Sequence, residues 1–272
     1  MKTLKNHTLI YDNECPMCNI YSKGFIKSGM LDESGREAFT ELTFRNKTLI
    51  DFNRAKNEIA LVDHKENKVI YGLDSLLLII GNSFPLLEKT ARIKPLYWFF
   101  KKLYSFVSYN RKQIIPSAKD YINAEQSCTP DFNVKYRIAY MSFVVIFSAY
   151  IVSVFATKLG LNLSQNFLRE FTVCLGQITW QAIFLKSYLQ DKTWDYLGNM
   201  MTVSLIGTLL LIPLLFTNFS AVFNIIYFGA VVFIMFLEHL RRCKILKLNL
   251  IPTVSWLIYR VLVLMVLTYL YV

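Results

Sequence analysis

The hydrophobic pattern changes character halfway along the chain. In the first half the apolar runs are short and interrupted. Residues 8–11 form a brief apolar run that predicts a strand, and residues 16–28 carry helical spacing. Residues 58–62 and 68–71 are two further strand-like runs around the polar turn 63–67, the pattern of a hairpin. A second helix is expected from Leu73, with Asp74 or Ser75 near its first turn. Residues 30–57 hold no single period. The order strand, helix, mixed segment, hairpin, helix predicts an α/β unit of thioredoxin-like arrangement.

Past residue 134, long uncharged runs take over. Residues 138–157 contain no charge, and 20 residues suit a hydrocarbon core of about 30 Å. Residues 171–185 are shorter and more polar, and reach spanning length only when extended to Leu189. Residues 196–237 contain no charge for 42 positions, too many for one crossing. Pro213 and the stretch Thr217-Asn218-Phe219-Ser220 supply a break. The final run to Val272 contains only Arg260. Five transmembrane helices are expected, near 138–157, 171–189, 196–216, 219–240 and 252–272. The chain thus divides into an α/β domain over 1–115, a linker over 116–134 and an all-α membrane domain over 135–272.

Composition agrees with that division. The 272 residues are 54% hydrophobic and 18% charged, with a mean hydropathy of +0.36, which excludes a disordered chain. Residues 1–133 hold 19 Lys/Arg and 15 Asp/Glu, whereas residues 134–272 hold 11 and 4. A net charge of +11 raises the question of nucleic acid. The cations of the second half, however, sit at the ends of apolar runs, as a membrane protein places them, so nucleic acid is not an expected partner. The basic run Lys89, Arg92, Lys94, Lys101, Lys102, Arg111, Lys112 and Lys119 is interleaved with Tyr97, Trp98, Phe99, Phe100, Tyr104 and Tyr109. It reads either as a surface lying on anionic lipid or as the solvated face of terminal helices.

The segment before Asp12 has no apolar run long enough for a secretory signal, which favours a cytosolic first domain. The span-flanking cations point the same way. Lys135, Arg137, Lys186, Lys192, Arg241, Arg242, Lys244 and Lys247 fall on one side, against Lys158 and Arg169 on the other. The expected topology is N-terminus inside, C-terminus outside.

The strongest chemical signal is Cys15-Pro16-Met17-Cys18, directly after a strand and at the start of a helix. Unpaired N–H groups and the helix dipole stabilise an anion there, so the position favours a thiolate at Cys15. Cys18 lies one turn along, where its sulfur can attack a mixed disulfide and close a ring. Pro16 suits the first helical turn, having no N–H to leave unpaired. The logic is exchange, with Cys15 attacking and Cys18 resolving. A structural zinc site calls for a second ligand pair, whereas Cys128, Cys174 and Cys243 are isolated singles, so no metal is expected. A static disulfide does not suit the cytosol. An inert pair is the bland alternative.

The run Leu9-Ile10-Tyr11-Asp12-Asn13-Glu14-Cys15-Pro16-Met17-Cys18 resembles the opening of the DCC thiol-disulfide oxidoreductase family, with Asp12, Cys15 and Cys18 at its three defining positions. Gly72-Leu73-Asp74-Ser75 and the close from Tyr104 to Tyr109-Asn110-Arg111 extend the similarity over roughly residues 7–115. The resemblance implies a thioredoxin-like fold and disulfide oxidoreductase activity on a protein or small-molecule disulfide, with no bound cofactor for the thiol step. One departure is plain: thioredoxin itself places a cis-proline before the strand facing its dithiol, and residues 51–57 contain no proline. Asp12 has two readings, a proton acceptor for Cys18 or a cap or turn residue. Its charge would raise the Cys15 pKa and oppose the helix dipole.

The membrane half has candidates of its own. Gln177, Trp180 and Gln181 fall at helical spacing in the second span, and Glu238, His239 and Arg260 lie in or at the ends of the last two. Intramembrane polar groups are paired or functional. The functional reading is a pocket formed by Gln177, Trp180, Gln181 and His239, where a quinone or similar electron carrier accepts electrons from the dithiol. The structural reading pairs Glu238 with Arg260 or Arg242 and leaves His239 at headgroup level. Cys174 reads as a packing residue, Cys243 as a cytosolic-face thiol and Cys128 as a linker thiol. The expected function is a membrane-anchored thiol-disulfide oxidoreductase of protein-disulfide reductase type. The competing class is a transport or assembly protein whose thioredoxin-like domain senses or docks.

Overall fold

The computed structural model describes residues 2–116, 128–160 and 165–271. Two compact units divide at Tyr136 and Arg137. The first opens with β1 (His7–Tyr11), α1 (Pro16–Lys27) and β2 (Arg36–Ala38). Two short helices follow, α2 (Phe44–Leu49) and α3 (Phe52–Ala55), then β3 (Ala60–Asp63) and β4 (Lys68–Tyr71). The helices α4 (Leu73–Ser83), α5 (Pro85–Ala91) and α6 (Lys94–Ile114) complete it.

The four strands form one sheet in the order β2-β1-β3-β4. β1 and β2 are parallel with Leu9 opposite Arg36, and α1 is the crossover that a parallel pair requires. β3 runs antiparallel to β1, with Leu61 opposite Leu9, and pairs antiparallel with β4 through the short hairpin. Asn67, in the left-handed region at φ 51°, turns that hairpin.

Alternation along the central strands buries both faces. Leu9, Leu61 and Ile79 form one layer with Tyr21 and Phe25 of α1 and Tyr104 of α6. Ile10, Ala60 and Val62 form the opposite layer with Phe39, Leu42, Ile50 and Cys128. Cys128 is therefore a core side chain of this unit rather than a linker thiol. It is 3% exposed, whereas residues 117–127 of the linker expected over 116–134, Lys119 among them, lie outside the described residues. Neither Asp74 nor Ser75 caps α4. The cap position is Gly72, at φ 66° and ψ −136°, and the Ser75 hydroxyl donates to its carbonyl at 2.7 Å.

The second unit is helical: α7 (Val134–Ala156), α8 (Phe167–Leu189), α9 (Thr193–Leu215), α10 (Ala221–Ile245) and α11 (Ile251–Tyr271). Among the described residues, four stretches are long and apolar enough to cross a membrane, and one of them, Phe167–Leu215, is 49 residues long. That stretch contains α8 and α9 joined by a 3-10 turn, Gln190–Lys192, with Gln190 in a left-handed conformation. The chain doubles back there, because the Tyr196 hydroxyl reaches Gln181 Oε1 at 3.2 Å. In one continuous helix those residues would lie roughly 20 Å apart. α9 ends two residues beyond Pro213, and the Ser220 side chain accepts from Phe223 N–H to start α10.

Gly72 supplies the sharpest test of this packing. A methyl group there would lie 2.9 Å from Glu58 Oε2, at a φ that L-residues rarely adopt. Gly72→Ala is expected to destabilise the first unit by about 1–3 kcal/mol, read as a shift in its denaturant midpoint.

Candidate functional site

The dithiol follows directly from the end of β1. Asp12 Oδ1 accepts from the backbone N–H groups of Glu14 at 3.0 Å and Cys15 at 3.2 Å, forming the turn that feeds the chain into α1. The cap of α1 is Cys15 itself. Its sulfur accepts from the Cys18 backbone N–H at 3.5 Å, with Pro16 as the first helical residue. Asp12 thus holds the turn, while the first sulfur occupies the place a serine or aspartate side chain takes in other helices.

The environment separates the two thiols. Cys15 is lowered to about 6, first by the hydrogen bond it receives from the Cys18 thiol. Burial opposes the shift, the Cys18 N–H and the Arg111 guanidinium add to it, and Asp12 works against it. Cys18 moves the other way, raised by sharing that hydrogen bond and by burial. The opposite shifts favour the negative charge on Cys15 and the proton on Cys18. All five cysteines are free thiols.

Around the pair lies a buried set of charges that no local motif advertises. Arg111 Nε and Lys112 Nζ approach Asp12 Oδ2 at 3.5 and 3.4 Å, and Lys112 also reaches Glu14 at 3.8 Å. These are ion contacts rather than aligned hydrogen bonds, so Oδ2 has no hydrogen-bond donor. The Arg111 guanidinium also donates to the Lys56 carbonyl at 2.8 Å, the Cys128 carbonyl at 2.6 Å and the Ser108 hydroxyl at 3.1 Å. Tyr104 OH accepts from the Ile59 N–H at 2.8 Å. Tyr104, Ser108 and Arg111 fall on one face of α6 at i, i+4 and i+7, and that spacing is the signal that could have grouped them.

A cavity of about 310 Å³ opens beside the dithiol. Its lining is mainly apolar, with Leu76, Phe100 and Val107, and includes Cys18, Glu58 and Arg111. Cys18 is 7% exposed and Cys15 is 0% exposed. The sulfur expected to attack is closed off, and the cavity meets the resolving one. Among the described residues, no group of three or more His, Cys, Asp or Glu is placed to hold a metal ion.

In the helical unit, Gln177, Gln181 and His239 are buried, while Trp180 is half-buried and donates its indole N–H to Ser255 at 3.1 Å. His239 is enclosed by protein side chains. It is 1% exposed, between Tyr196 and Trp256, because its ring nitrogens meet Tyr196 OH at 3.3 Å and Thr253 at 3.0 Å. Glu238 pairs with Arg241 and Arg242 and not with Arg260. Cys243, expected as a cytosolic-face thiol, is buried with its sulfur 3.6 Å from His239 Nδ1.

Compared with family models, curated proteins and solved structures, the chain matches none.

The thiol asymmetry sets a pH dependence. As pH falls from about 9 to about 6, the unfolded Cys15 thiol takes up a proton while the folded one does not. The reduced protein therefore loses stability through that window. Thiolate absorbance should show a transition near pH 6 that Cys15→Ser removes and Arg111→Gln moves upward.

Proposed function

We propose that the first unit is a thioredoxin-like thiol-disulfide oxidoreductase of the DCC type, tethered by the helical unit to the cytosolic face of a membrane. The observation that carries this reading is the Cys15 sulfur at the helix N-terminus, accepting from the Cys18 N–H, a placement that lowers its pKa while that of Cys18 is raised. The sheet order, with a parallel β1-α1-β2 followed by an antiparallel hairpin, supports the thioredoxin-like assignment.

The Cys15 thiolate attacks one sulfur of a substrate disulfide, forming a mixed disulfide and expelling the other sulfur as a thiolate. Cys18 then gives up its proton and attacks Cys15 Sγ. The Cys15–Cys18 disulfide forms, and the second substrate thiol leaves. Two electrons pass to the substrate, and a thiol reductant of the compartment restores the pair. Burial of Cys15 makes local opening part of the reaction, so exchange is gated by that opening rather than by encounter.

The same closure favours a second reading, in which the dithiol is a redox-sensing or docking element for the helical unit. In both readings α8 and α9 cross separately, which makes five spans, with the cation-rich ends inside. The outward face of α5 and α6 suits a lipid surface. Leu86, Trp98, Phe99 and Leu103 are exposed there beside Lys101 and Lys102.

Cys18→Ser should accumulate a mixed disulfide through Cys15, visible as a reducible mass adduct on the full-length protein. Cys15→Ser should abolish both adduct and turnover. Retention of cellular function by Cys15→Ser would decide for the sensing or docking reading. The orientation is tested at the hairpin: a cysteine replacing exposed Glu66 in a background lacking the native cysteines should resist a membrane-impermeant thiol reagent in intact cells and react once cells are broken.

A further inference from the structure

Inside the helical unit, α8 and α11 lie against each other. Trp180 bonds Ser255, and Tyr259 OH donates to the Val173 carbonyl at 2.8 Å. This antiparallel register brings the Gln177 level of α8 opposite the turn of α11 between Trp256 and Arg260. Gln177 and Gln181 sit one helical turn apart on α8, as do Trp256 and Arg260 on α11. Tyr196 joins the two pairs: its hydroxyl reaches Gln181 Oε1 at 3.2 Å and His239 at 3.3 Å, and the His239 ring stacks on Trp256 at 5.3 Å.

The buried groups of this cluster are left open in one sense only. Gln177 Nε2, Gln181 Nε2, Trp256 Nε1 and Arg260 Nε are shut away without a hydrogen-bond partner, and Gln177 Oε1 is the single acceptor among them. Gln177, Gln181 and Trp256 are each at most 2% exposed. Arg260 makes no ion pair with a described residue, and its guanidinium rests 5.1 Å from the Trp256 ring centroid. Glu170, whose field reaches Arg260, is already engaged by Arg169 at 2.7 Å. Four donors, one acceptor and a cation without an ion pair among the described residues therefore meet at one level, in the middle of α8 and the first half of α11.

Water does not complete such a set. Each water brings two hydrogens that need acceptors of their own, and it brings no charge to set against Arg260. A neutral quinone would supply carbonyl acceptors and would leave the cation unpaired. We propose that this cluster binds the oxyanion head of a lipid-soluble molecule, a long-chain carboxylate being the simplest member of the class. Arg260 holds the charge, and the amides of Gln177 and Gln181 and the indole of Trp256 donate to its oxygens. The site does not depend on the dithiol.

Equilibrium binding to the full-length protein in nanodiscs tests this, with labelled oleate, acetate and a neutral decyl-quinone as probes. Oleate should bind saturably at one per chain. Arg260→Gln should weaken it about thirtyfold, the scale for removing one partner of a buried charge pair. Trp256→Phe, which keeps the ring and loses only the donor, should weaken it several-fold without changing the melting temperature of the ligand-free protein. Gln177→Leu should raise that melting temperature while weakening oleate. The proposal is overturned if oleate does not saturate, or if Arg260→Gln binds it unchanged. Equal affinity for acetate would overturn the lipid-soluble source, and tighter binding of the quinone would overturn the anionic head.

Discussion

The first unit is organised around one buried guanidinium. Arg111 is 5% exposed, and a charge so placed costs several kcal/mol unless its surroundings are polar and fixed. The surroundings come from every part of the unit. The Lys56 carbonyl follows α3, the Cys128 carbonyl closes the far end, Ser108 lies one turn back on α6, and Asp12 carries the turn before the dithiol. Displacing α6 would strand the cation, so helix, turn and dithiol are held as one piece. Tyr104 extends the clamp by accepting from the backbone where the chain enters β3.

That clamp also explains why the two thiols differ. A sulfur at a helix N-terminus gains from unpaired N–H groups, but Asp12 beside it opposes the gain. Arg111 and Lys112, set against Asp12, offset much of its charge while leaving its Oδ1 free to hold the turn. The carboxylate can then shape the backbone without keeping Cys15 protonated. Position at the helix start, the hydrogen bond from Cys18 and the guanidinium act on one sulfur, while giving that hydrogen bond, and then burial, raises its neighbour.

Much of this was legible in the residues. The strand-helix junction at Cys15, the hairpin near 63–67 and the break after Pro213 all follow from local pattern, because turn chemistry and apolar period are local properties. Residues 30–57 were not legible. β2 has three residues and α3 four, and elements so short exist only because the sheet and its covering layer hold them. Nor was the role of Cys128 legible: a cysteine in a polar stretch reads as exposed until a distant arginine and a hydrophobic layer are seen to enclose it. Arg111 could be quoted as part of a motif, but its partners lie up to 99 positions away, in Asp12, and no window on the sequence spans them. The partners of His239 were not legible for the same reason, since Tyr196 and Thr253 lie 43 and 14 positions away.

The cations of the helical unit follow the same rule until one is reached that does not. Arg137 donates to the Trp194 carbonyl and reaches Asp195 at 3.2 Å, tying α7 to α9. Arg242 engages Glu238 and donates to Asn199 at 2.8 Å, tying α10 to α9. Tyr140 with Thr202, and Ser148 with Thr208, add hydroxyl pairs across α7 and α9. In hydrocarbon, where apolar contact between helices gains little over contact with lipid, such pairs are what select one packing over another. A bundle that matches its buried polar groups this closely has had the opportunity to match the rest. Arg260, Gln177, Gln181 and Trp256 leave a donor surplus at one level, between helices already fastened together by Trp180 with Ser255 and Tyr259 with the Val173 carbonyl. Helix packing does not require that surplus, so the packing leaves it to be explained by something that brings acceptors and negative charge from outside the chain.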